Sequence, residues 1–201
     1  LRDTLQKTLK EAVPGVTLSY LDQFAEKNIK NMGGESSFKK VKGYKWTICG
    51  CVNDVVVHGI PDDYVLKDGD TVGIDCGVFY KGFHTDMAIT VPVGKVSPEA
   101  QNLIATVEQA LEAGISVAKP GGRLGDVSQA IEAVIKANGF KIIKELAGHG
   151  VGYQPHEDPF VPNFGQAGTG PELLPGLVLA IEPMATTGRG DIKVGADGFT
   201  F

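Results

Sequence analysis

The sequence is poor in cysteine, and its cysteines are not arranged for cross-linking. Its 201 residues include only Cys49, Cys51 and Cys76, and no two of them form a CxxC pair. An odd number of cysteines without such a pair argues against a disulfide framework and against a structural zinc site. Free thiols are typical of a reducing compartment, so we expect the protein in the cytoplasm.

The sequence also lacks long hydrophobic runs and an excess of positive charge. No apolar stretch approaches the roughly 18 residues that a membrane helix needs. The formal net charge is −5, and the longest basic run lies within Phe38 to Lys42, so nothing indicates direct binding of nucleic acid. Hydrophobic residues make up 42% of the chain, which is enough for a core without disulfides.

A duplication is hidden in the sequence. When Pro14-Gly15 is aligned with Pro120-Gly121, an offset of 106 residues, both copies show a Pro-Gly entry, an amphipathic helix and a glycine at its end. At an offset of 107, the segment from Leu66 to Asp75 matches the segment from Leu173 to Glu182. Two matches in the same order indicate an internal repeat. The alternative is that the common grammar of helices and strands produced both matches.

Helix and strand signals follow one another along the chain. Ser97-Pro98 is an N-cap followed by proline at the first helical position. A second helix is predicted at residues 124–137. Two strands, at residues 71–80 and 83–91, flank the turn Lys81-Gly82. We therefore predict an α+β protein of two helix-plus-hairpin units, with antiparallel sheets meeting and helices behind them.

Two aspartates lie on opposite arms of the predicted hairpin. If Lys81-Gly82 is its turn, Asp75 faces Ala88, and Asp86 lies on the same sheet face as Asp75. Such diagonal neighbours have Cα atoms about 7–8 Å apart, so their carboxylates can point at one centre. Like charges repel there unless a cation lies between them. The alternative is that both carboxylates are solvated on an exposed face.

Three of the four histidines lie in turns rich in glycine or proline: His58, His149 and His156. A lone histidine is more often a core or surface residue than a ligand, but in such turns the backbone can approach a ligand closely. We therefore treat these three as candidate site residues. The fourth, His84, lies in the predicted strand of Asp86, and we expect it on the opposite face, as a structural residue.

Glu182 follows an apolar segment that begins at Leu177. A carboxylate in that place is expensive to bury unless it is paired or bound to a metal, and the repeat aligns Glu182 with Asp75. Carboxylates combined with one imidazole suit Mn, Fe, Co or Zn and leave room for two ions. Two metals about 3.5–4 Å apart can bridge a water and polarise a carbonyl, which is the equipment for hydrolysing an amide.

Six short motifs together resemble the signature of type I methionine aminopeptidases. The similarity runs in order from about Pro14 to Phe201, and the motifs are highly specific as a set. They are His58-Gly59-Ile60-Pro61, Ile74-Asp75-Cys76-Gly77, His84-Thr85-Asp86, Gly148-His149-Gly150-Val151-Gly152, His156-Glu157-Asp158-Pro159 and Ile181-Glu182-Pro183-Met184.

The resemblance implies the pita-bread fold, an α+β fold with an internal pseudo-twofold. It implies a single catalytic domain over residues 1–201, with pseudo-repeats at about 14–91 and 120–201. It also implies removal of the initiator methionine from nascent polypeptides, by a water or hydroxide that bridges two divalent metals (Co, Mn, Fe or Zn). Nascent N-termini are then the partners, with the ribosome as a further candidate, and the protein is expected to be a monomer.

The roles of the family's site residues carry over by motif. His156 matches the histidine that contacts the substrate amide and stabilises the developing oxyanion. His58 matches the histidine that contacts the scissile peptide and assists proton transfer. Glu182 matches a candidate proton carrier, and Asp86 matches the ligand that bridges both metals. The full set of matched metal ligands is Asp75, Asp86, His149 and Glu182.

The pocket for the methionine side chain is matched in part. Tyr44 and Cys49 match pocket positions, and Phe38 and Phe199 are further candidates. Pro155 stands where a bulkier apolar residue is more usual in the family. An apolar pocket discriminates by only ~1–3 kcal/mol per methylene, so the side-chain preference is left open.

Both ends of the sequence are expected to be incomplete. The chain begins at Leu1 in what reads as the middle of a helix, without an initiator methionine or a signal peptide. The family has a fifth metal ligand, a second glutamate on a strand beyond the region of Asp197, and the sequence stops at Phe201. A chain of this extent is therefore expected to bind the metal pair poorly and to have low or no activity.

Three other interpretations are open at this point. An X-Pro peptidase of the same fold would need the same metals but usually carries an extra N-terminal domain, and the motif at His58 favours the methionine type. A catalytically silent relative that binds peptides or ribosomes typically loses metal ligands, whereas the four matched ones are intact. A soluble α+β domain without a site would leave the clustering of histidines and carboxylates unexplained.

Overall fold

The computed structural model describes every residue from Leu1 to Phe201. The chain divides into two compact units, and the boundaries cross the sequence more than once. The first unit comprises Leu1–Ala100, Gly152–Pro155 and Lys193–Phe201, and the second comprises Gln101–Val151 and His156–Ile192.

The first unit combines two helices with an antiparallel sheet. The helix α2 begins after Thr17, whose side chain accepts a hydrogen bond from the N–H of Tyr20 at 3.1 Å, as expected of an N-cap. In the sheet, β3 is central and pairs with β1, β2 and β4. The elements are α1 (Arg2–Glu11), α2 (Leu18–Asn31), β1 (Glu35–Ser36), a 3-10 turn (Phe38–Lys40), β2 (Ile48–Val52), β3 (Thr71–Tyr80) and β4 (Phe83–Pro92).

The core of the first unit lies where α1 and α2 pack on this sheet. Alternation along β3 sends its even-numbered apolar side chains into the core and leaves the odd-numbered positions on the other face. Burial of these side chains is the main favourable contribution to the stability of the unit. The fully buried members include Leu5, Leu21, Ile29, Ile48, Leu66, Val72 and Ile74.

The hairpin between β3 and β4 has the predicted register. Tyr80 pairs with Phe83, so the loop contains only Lys81 and Gly82. Both loop residues have positive φ, +50° and +89°, the combination that a type I′ turn requires. A two-residue turn of this type fixes the register of both strands, which is why the sequence sufficed to predict it.

The second unit packs two helices against short strands. At Gly114 the helix α3 passes so close to α4 that an added Cβ would lie 3.0 Å from the side chain of Ile131. Two small sheets form, β5 with β9, and β7-β6-β8. The elements are α3 (Pro98–Val117, whose first turn belongs to the first unit), α4 (Leu124–Ala137), β5 (Lys141–Ile142), β6 (Ala147–Gly150), β7 (Glu157–Pro162), β8 (Leu179–Ala180) and β9 (Ala185–Thr186).

The two units share local structure at the offsets seen in the sequence. The helices α2 and α4 both have 14 residues. Thr17 forms an isolated bridge with Val65, and Arg123 forms one with Glu172. The glycines that open and close the repeated segments adopt positive φ in both copies: Gly15 and Gly121, Gly33 and Gly139, Gly69 and Gly176.

The strand leading to Glu182 is shorter than its counterpart in the first unit. The repeat aligns the segment that ends at Glu182 with the segment that ends at Asp75 in β3, yet the ladder before Glu182 covers only Leu179–Ala180. Pro183 follows Glu182 and has no N–H to donate, which limits regular pairing at this point. None of the helices has both the length and the hydropathy of a membrane-spanning segment.

Candidate metal centre

Asp75 and Asp86 lie on one face of the hairpin, as predicted. In the register of β3 and β4, Asp75 pairs with Ala88, and Asp86 pairs with Gly77. Asp75 and Gly77 are two residues apart and share a face, so the two carboxylates are diagonal neighbours. Both side chains are half-buried. Two partly desolvated carboxylates at this spacing are able to bind a cation.

The expected orientation of His84 is wrong. Residues two apart in a strand share a face, and His84 pairs with Phe79 in the same register. His84 therefore lies on the same face as Asp86. Its ring is buried, its Nδ1 lies 2.7 Å from the hydroxyl of Ser37, and it packs on the Phe79 ring at a centroid distance of 4.7 Å.

The residues that the resemblance matches to the methionine pocket lie in one buried cluster of the first unit. Phe38, Tyr44 and Cys49 are all buried and share one apolar cluster. The ring of Tyr44 packs edge-on against Phe38 at 6.3 Å and against Phe199 at 5.6 Å. The strand β3 leaves room for this cluster at Gly77, where a Cβ would lie 2.7 Å from the Phe38 ring.

Hydrogen bonds fix the polar groups of this cluster. The hydroxyl of Tyr44 donates to the carbonyl of Ile48 at 2.8 Å and lies 3.2 Å from Sγ of Cys49. Cys49 pairs with Asp75 across β2 and β3, so this cluster adjoins the strand position of Asp75. Burial raises the pKa of the Cys49 thiol well above its ordinary value, and the charge of Asp75 raises it further. Cys49 therefore contributes a neutral, polarisable sulfur to this cluster.

Sequence reasoning missed Asp22, the residue that anchors the start of β2. Asp22, in α2, is buried, and one of its carboxylate oxygens accepts the N–H groups of Thr47 and Ile48 at 2.6 and 3.0 Å. Burial raises the pKa of Asp22, and the two N–H donors only partly oppose this. The available signal was an acidic residue on the apolar face of an amphipathic helix, between Leu21 and Ala25.

His58 lies in a loop that runs along β2. It has a positive φ of +57°, its side chain is exposed, and its ring lies 5.8 Å from that of Phe201. The next residue, Gly59, accepts the N–H of Gly50 at 2.8 Å, and a Cβ on Gly59 would lie 2.3 Å from the Gly50 carbonyl. Glycine at this position lets the His58 loop approach the strand that carries Cys49.

The same loop is closed by a buried carboxylate, Asp70. Its Oδ1 accepts the side-chain amide of Asn53 at 2.9 Å, and its Oδ2 accepts the Lys67 N–H at 2.9 Å and the Tyr64 hydroxyl at 3.0 Å. The carbonyl of the Asn53 side chain accepts the N–H of Thr71 at 3.0 Å. Burial raises the pKa of Asp70, but these donors outweigh it and hold the pKa below its usual value.

His149 and Glu182 meet within the second unit. His149 is buried in β6, and its Nε2 lies 3.1 Å from Oε1 of Glu182. Its Nδ1 lies 2.8 Å from the carbonyl of Gly150, which can only accept, so Nδ1 carries a proton. In the neutral ring, Nε2 then presents a lone pair to a carboxylate oxygen, and the contact is favourable only with a proton or a cation between them.

This geometry fits a metal site. Histidines that bind metals usually donate their other ring N–H to a carbonyl or a carboxylate, which fixes the tautomer. His149 has that arrangement with Gly150, and Glu182 brings a carboxylate oxygen to Nε2 of the ring. The chemistry of this nitrogen and oxygen pair suits divalent first-row metals.

His156 lies beside His149. It directly precedes β7, its side chain is exposed, and the two ring centroids are 4.4 Å apart. A ring nitrogen of each histidine lies within 4.8 Å of one of the other. His156 therefore offers an accessible imidazole next to the buried one.

Two residues around Glu182 were also missed. Gly148 lies so close to β8 that a Cβ would be 2.2 Å from the carbonyl of Ala180. Asn163 is fully buried, and its side-chain amide donates to the carbonyl of Glu182 at 2.7 Å. Nothing in the local sequence identifies either contact, because each partner is more than fifteen residues away along the chain.

Comparison with known proteins extends over the whole chain. Residues 1–198 match metallopeptidase family M24. A methionine aminopeptidase of Clostridium perfringens is 46% identical over 200 residues, which cover 100% of this chain and 80% of that protein. The crystal structure of a methionine aminopeptidase from Thermotoga maritima matches with a TM-score of 0.96 at 40% identity, covering 98% of this chain and 80% of that chain.

A more distant match concerns the rival interpretation as an X-Pro peptidase. A prolidase from Pyrococcus furiosus matches with a TM-score of 0.76 at 23% identity, covering 90% of this chain and 51% of that chain. At this identity the match shows the fold alone. The predicted α+β pita-bread fold and the resemblance to methionine aminopeptidases are confirmed, and the chain belongs to metallopeptidase family M24.

Proposed function

We propose that the protein is a metal-dependent aminopeptidase that removes the N-terminal, initiator methionine from nascent polypeptides. Membership of a metallopeptidase family implies divalent metal ions. The observation that carries the proposal is the contact of His149 Nε2 with Glu182 Oε1 at 3.1 Å, with the other ring nitrogen held by a carbonyl. Strong similarity to methionine aminopeptidases along the whole chain supports the same activity.

The proposed ligands are those that the resemblance assigns, and they hold two divalent ions, Co, Mn, Fe or Zn. The hairpin supplies a pair of carboxylates on one face, and the second unit supplies an imidazole and a carboxylate. A set of three carboxylates and one imidazole is hard and oxygen-rich, which suits these metals. The ligands are Asp75, Asp86, His149 and Glu182.

When bound, two divalent ions acidify a water and polarise the scissile carbonyl. The chain's own groups then have three tasks. His156, exposed beside His149, donates a hydrogen bond to the substrate amide and to the oxyanion that develops from it. His58, exposed on its loop, contacts the scissile peptide and assists proton transfer. The carboxylate of Glu182 moves a proton toward the leaving amine.

The pocket of the first unit is proposed to take the methionine side chain. Phe38 and Tyr44 offer aromatic faces, and Cys49 offers a neutral sulfur, all buried beside the carboxylate face. A thioether packs well against aromatic rings and another sulfur. Because Cys49 stays protonated, no charge in the pocket opposes entry of an apolar side chain.

The setting of the protein follows from the same proposal. We infer a single catalytic domain over residues 1–201, formed by two repeats at about 14–91 and 120–201. Its substrates are nascent N-termini, and the ribosome is a candidate partner. The three cysteines are free, which supports a cytoplasmic location, and we propose that the protein acts as a monomer.

The decisive experiment removes the metal and varies the substrate. In a version extended by the C-terminal strand that carries the family's fifth ligand, we expect chelation to abolish cleavage of Met-Ala-Ser and added Mn²⁺ or Co²⁺ to restore it, with no cleavage of Ala-Pro under either condition. Residues 1–201 alone are expected to have low or no activity, and activity equal to that of the extended version would contradict this expectation. Glu182→Gln should abolish cleavage, whereas the control Glu145→Gln, at an exposed site, should not change it. Cleavage of Ala-Pro in preference to Met-Ala-Ser would favour the X-Pro type. Metal binding without any cleavage would favour a silent relative.

A further inference from the structure

The backbone at Glu182 lies outside any strand ladder. β8 ends at Ala180, and β9 begins at Ala185. Between them, Pro183 cannot donate a backbone hydrogen bond, so regular pairing does not extend through the segment. The carboxylate of Asp75, in contrast, rises from the middle of a strand of ten residues. The position of Glu182 therefore depends on contacts other than a ladder.

Asn163 supplies such a contact. It follows the last residue of β7, it is fully buried, and its Nδ2 lies 2.7 Å from the carbonyl oxygen of Glu182. A carbonyl can only accept, so the amide donates. The Asn163 side chain takes the place that a neighbouring strand's N–H would have in a longer ladder.

The other half of the Asn163 amide argues against a purely stabilising role. Its Oδ1 is buried and has no hydrogen-bond partner. A buried acceptor without a partner opposes folding, and native proteins retain few of them. Of the two halves of the amide, the one that bonds to another protein group is the donor that faces Glu182.

The close approach of Gly148 to Ala180 restricts the segment that carries Glu182. A Cβ on Gly148 would lie 2.2 Å from the carbonyl of Ala180 and 3.2 Å from the N of Glu182. Gly148 thus limits Glu182 at its N, and Asn163 holds it at its carbonyl. From this fixed backbone the carboxylate reaches His149.

We propose that Asn163 is a positioning residue: by its hydrogen bond to the Glu182 carbonyl, it fixes the backbone from which the Glu182 carboxylate meets His149 and a divalent cation. The inference rests on the proposed role of Glu182 as a metal ligand. Residues that orient metal ligands typically change metal affinity by roughly 10–100-fold when they are substituted.

The test measures metal affinity without substrate. Metal-stripped protein, in the version extended by the C-terminal strand, is titrated with Mn²⁺ in a calorimeter, and Asn163→Ala and Asn163→Asp are expected to bind it about 10–100-fold more weakly. Asn138→Ala is the matched control, because the Asn138 amide also donates to a backbone carbonyl, that of Val134 at 3.0 Å, but at the exposed end of α4. We expect its affinity to equal that of the wild type.

A double-mutant cycle separates positioning from general stability. If Asn163 acts through Glu182, adding Asn163→Ala to Glu182→Gln should weaken Mn²⁺ binding less than about twofold further. A full additional loss in that background would overturn the proposal, since the two residues would then act independently. Unchanged affinity in both single Asn163 variants would overturn it as well.

The remaining outcomes are also decisive. If protein of wild-type sequence, extended by the C-terminal strand, neither binds Mn²⁺ nor cleaves Met-Ala-Ser, the proposed function is rejected and the role of Asn163 with it. Wild-type protein that does both, with Asn163 variants of equal affinity, would reject the positioning role alone. If both Asn163 variants lose their circular dichroism spectrum, Asn163 is a folding residue and the proposal is wrong.

Discussion

Replacing Asp70 by asparagine tests how the His58 loop is held closed. The substitution keeps the size of the side chain but puts an NH₂ group in place of one carboxylate oxygen. If the remaining oxygen keeps the bonds from Lys67 and Tyr64, the NH₂ faces the amide of Asn53, which is also a donor. Asn53 cannot turn over without losing its bond to the N–H of Thr71. At least one hydrogen bond to a charged acceptor is therefore lost.

The size of the effect follows from that single bond. A hydrogen bond to a charged group contributes about 1.5–3 kcal/mol. In a domain of this size each kcal/mol changes Tm by about 2–4 °C, so we expect Asp70→Asn to lower Tm by roughly 3–12 °C at pH 7. The measurement is thermal unfolding followed by circular dichroism. Asp54→Asn, which makes the same charge change at an exposed position of the same loop, should change the free energy of unfolding by less than about 0.5 kcal/mol.

The pH dependence has a definite sign. Because the folded-state pKa of Asp70 lies below its usual value, the carboxylate stabilises the fold above the unfolded-state pKa of about 3.9. This contribution disappears as the pH falls through the folded-state pKa. The difference in Tm between wild type and Asp70→Asn should therefore be complete at pH 7 and shrink below about pH 4. Equal Tm values for both variants at pH 7, or a difference that persists unchanged in acid, would refute this account of the loop.

Two further substitutions test the site itself. Gly148→Ala places a Cβ 2.2 Å from a backbone oxygen. We expect it to destabilise the fold by about 1–3 kcal/mol or more in urea unfolding and to weaken Mn²⁺ binding. Wild-type values for both measurements would contradict the close approach. Tyr44→Phe removes the hydroxyl bonded to the Ile48 carbonyl, at a cost of about 0.5–1.5 kcal/mol. We expect KM for Met-Ala-Ser to rise by up to about tenfold with kcat unchanged. A fall in kcat alone would place Tyr44 outside the pocket.

Local rules were sufficient wherever the chain interacts with its near neighbours in sequence. The register that brings Asp75 and Asp86 to one face depends on two residues of a tight turn, and the turn chemistry of Lys81-Gly82 is readable. The helix of residues 124–137 was likewise readable from its periodicity. The orientation of His84 was also within reach, because strand alternation alone puts it on the face of Asp86; the expectation misapplied that rule.

The rest of the site depends on contacts that no local pattern encodes. Asp22 accepts N–H groups from residues 25 and 26 positions away, and Asn163 donates to a carbonyl 19 positions away. Each of these contacts forms only once its own unit has folded, because an isolated helix or strand leaves these side chains in water. The short ladder at Leu179–Ala180 also depends on pairing with distant residues. Pro183 has no N–H to donate, and this limits the pairing that the segment can make with its neighbours.

The matched glycine turns of the two units have a consequence for how such a protein can diversify. Each positive φ restricts its position almost to glycine, so substitutions at these turns are strained in both units. The positions that bear carboxylates carry no such restriction. Asp75, on a long stiff strand, can be short, whereas Glu182, on a segment tethered by a distant amide, has one more methylene of reach. Substitutions at the positions that bear carboxylates can therefore change the chemistry of such a protein, while the glycine turns keep its architecture the same.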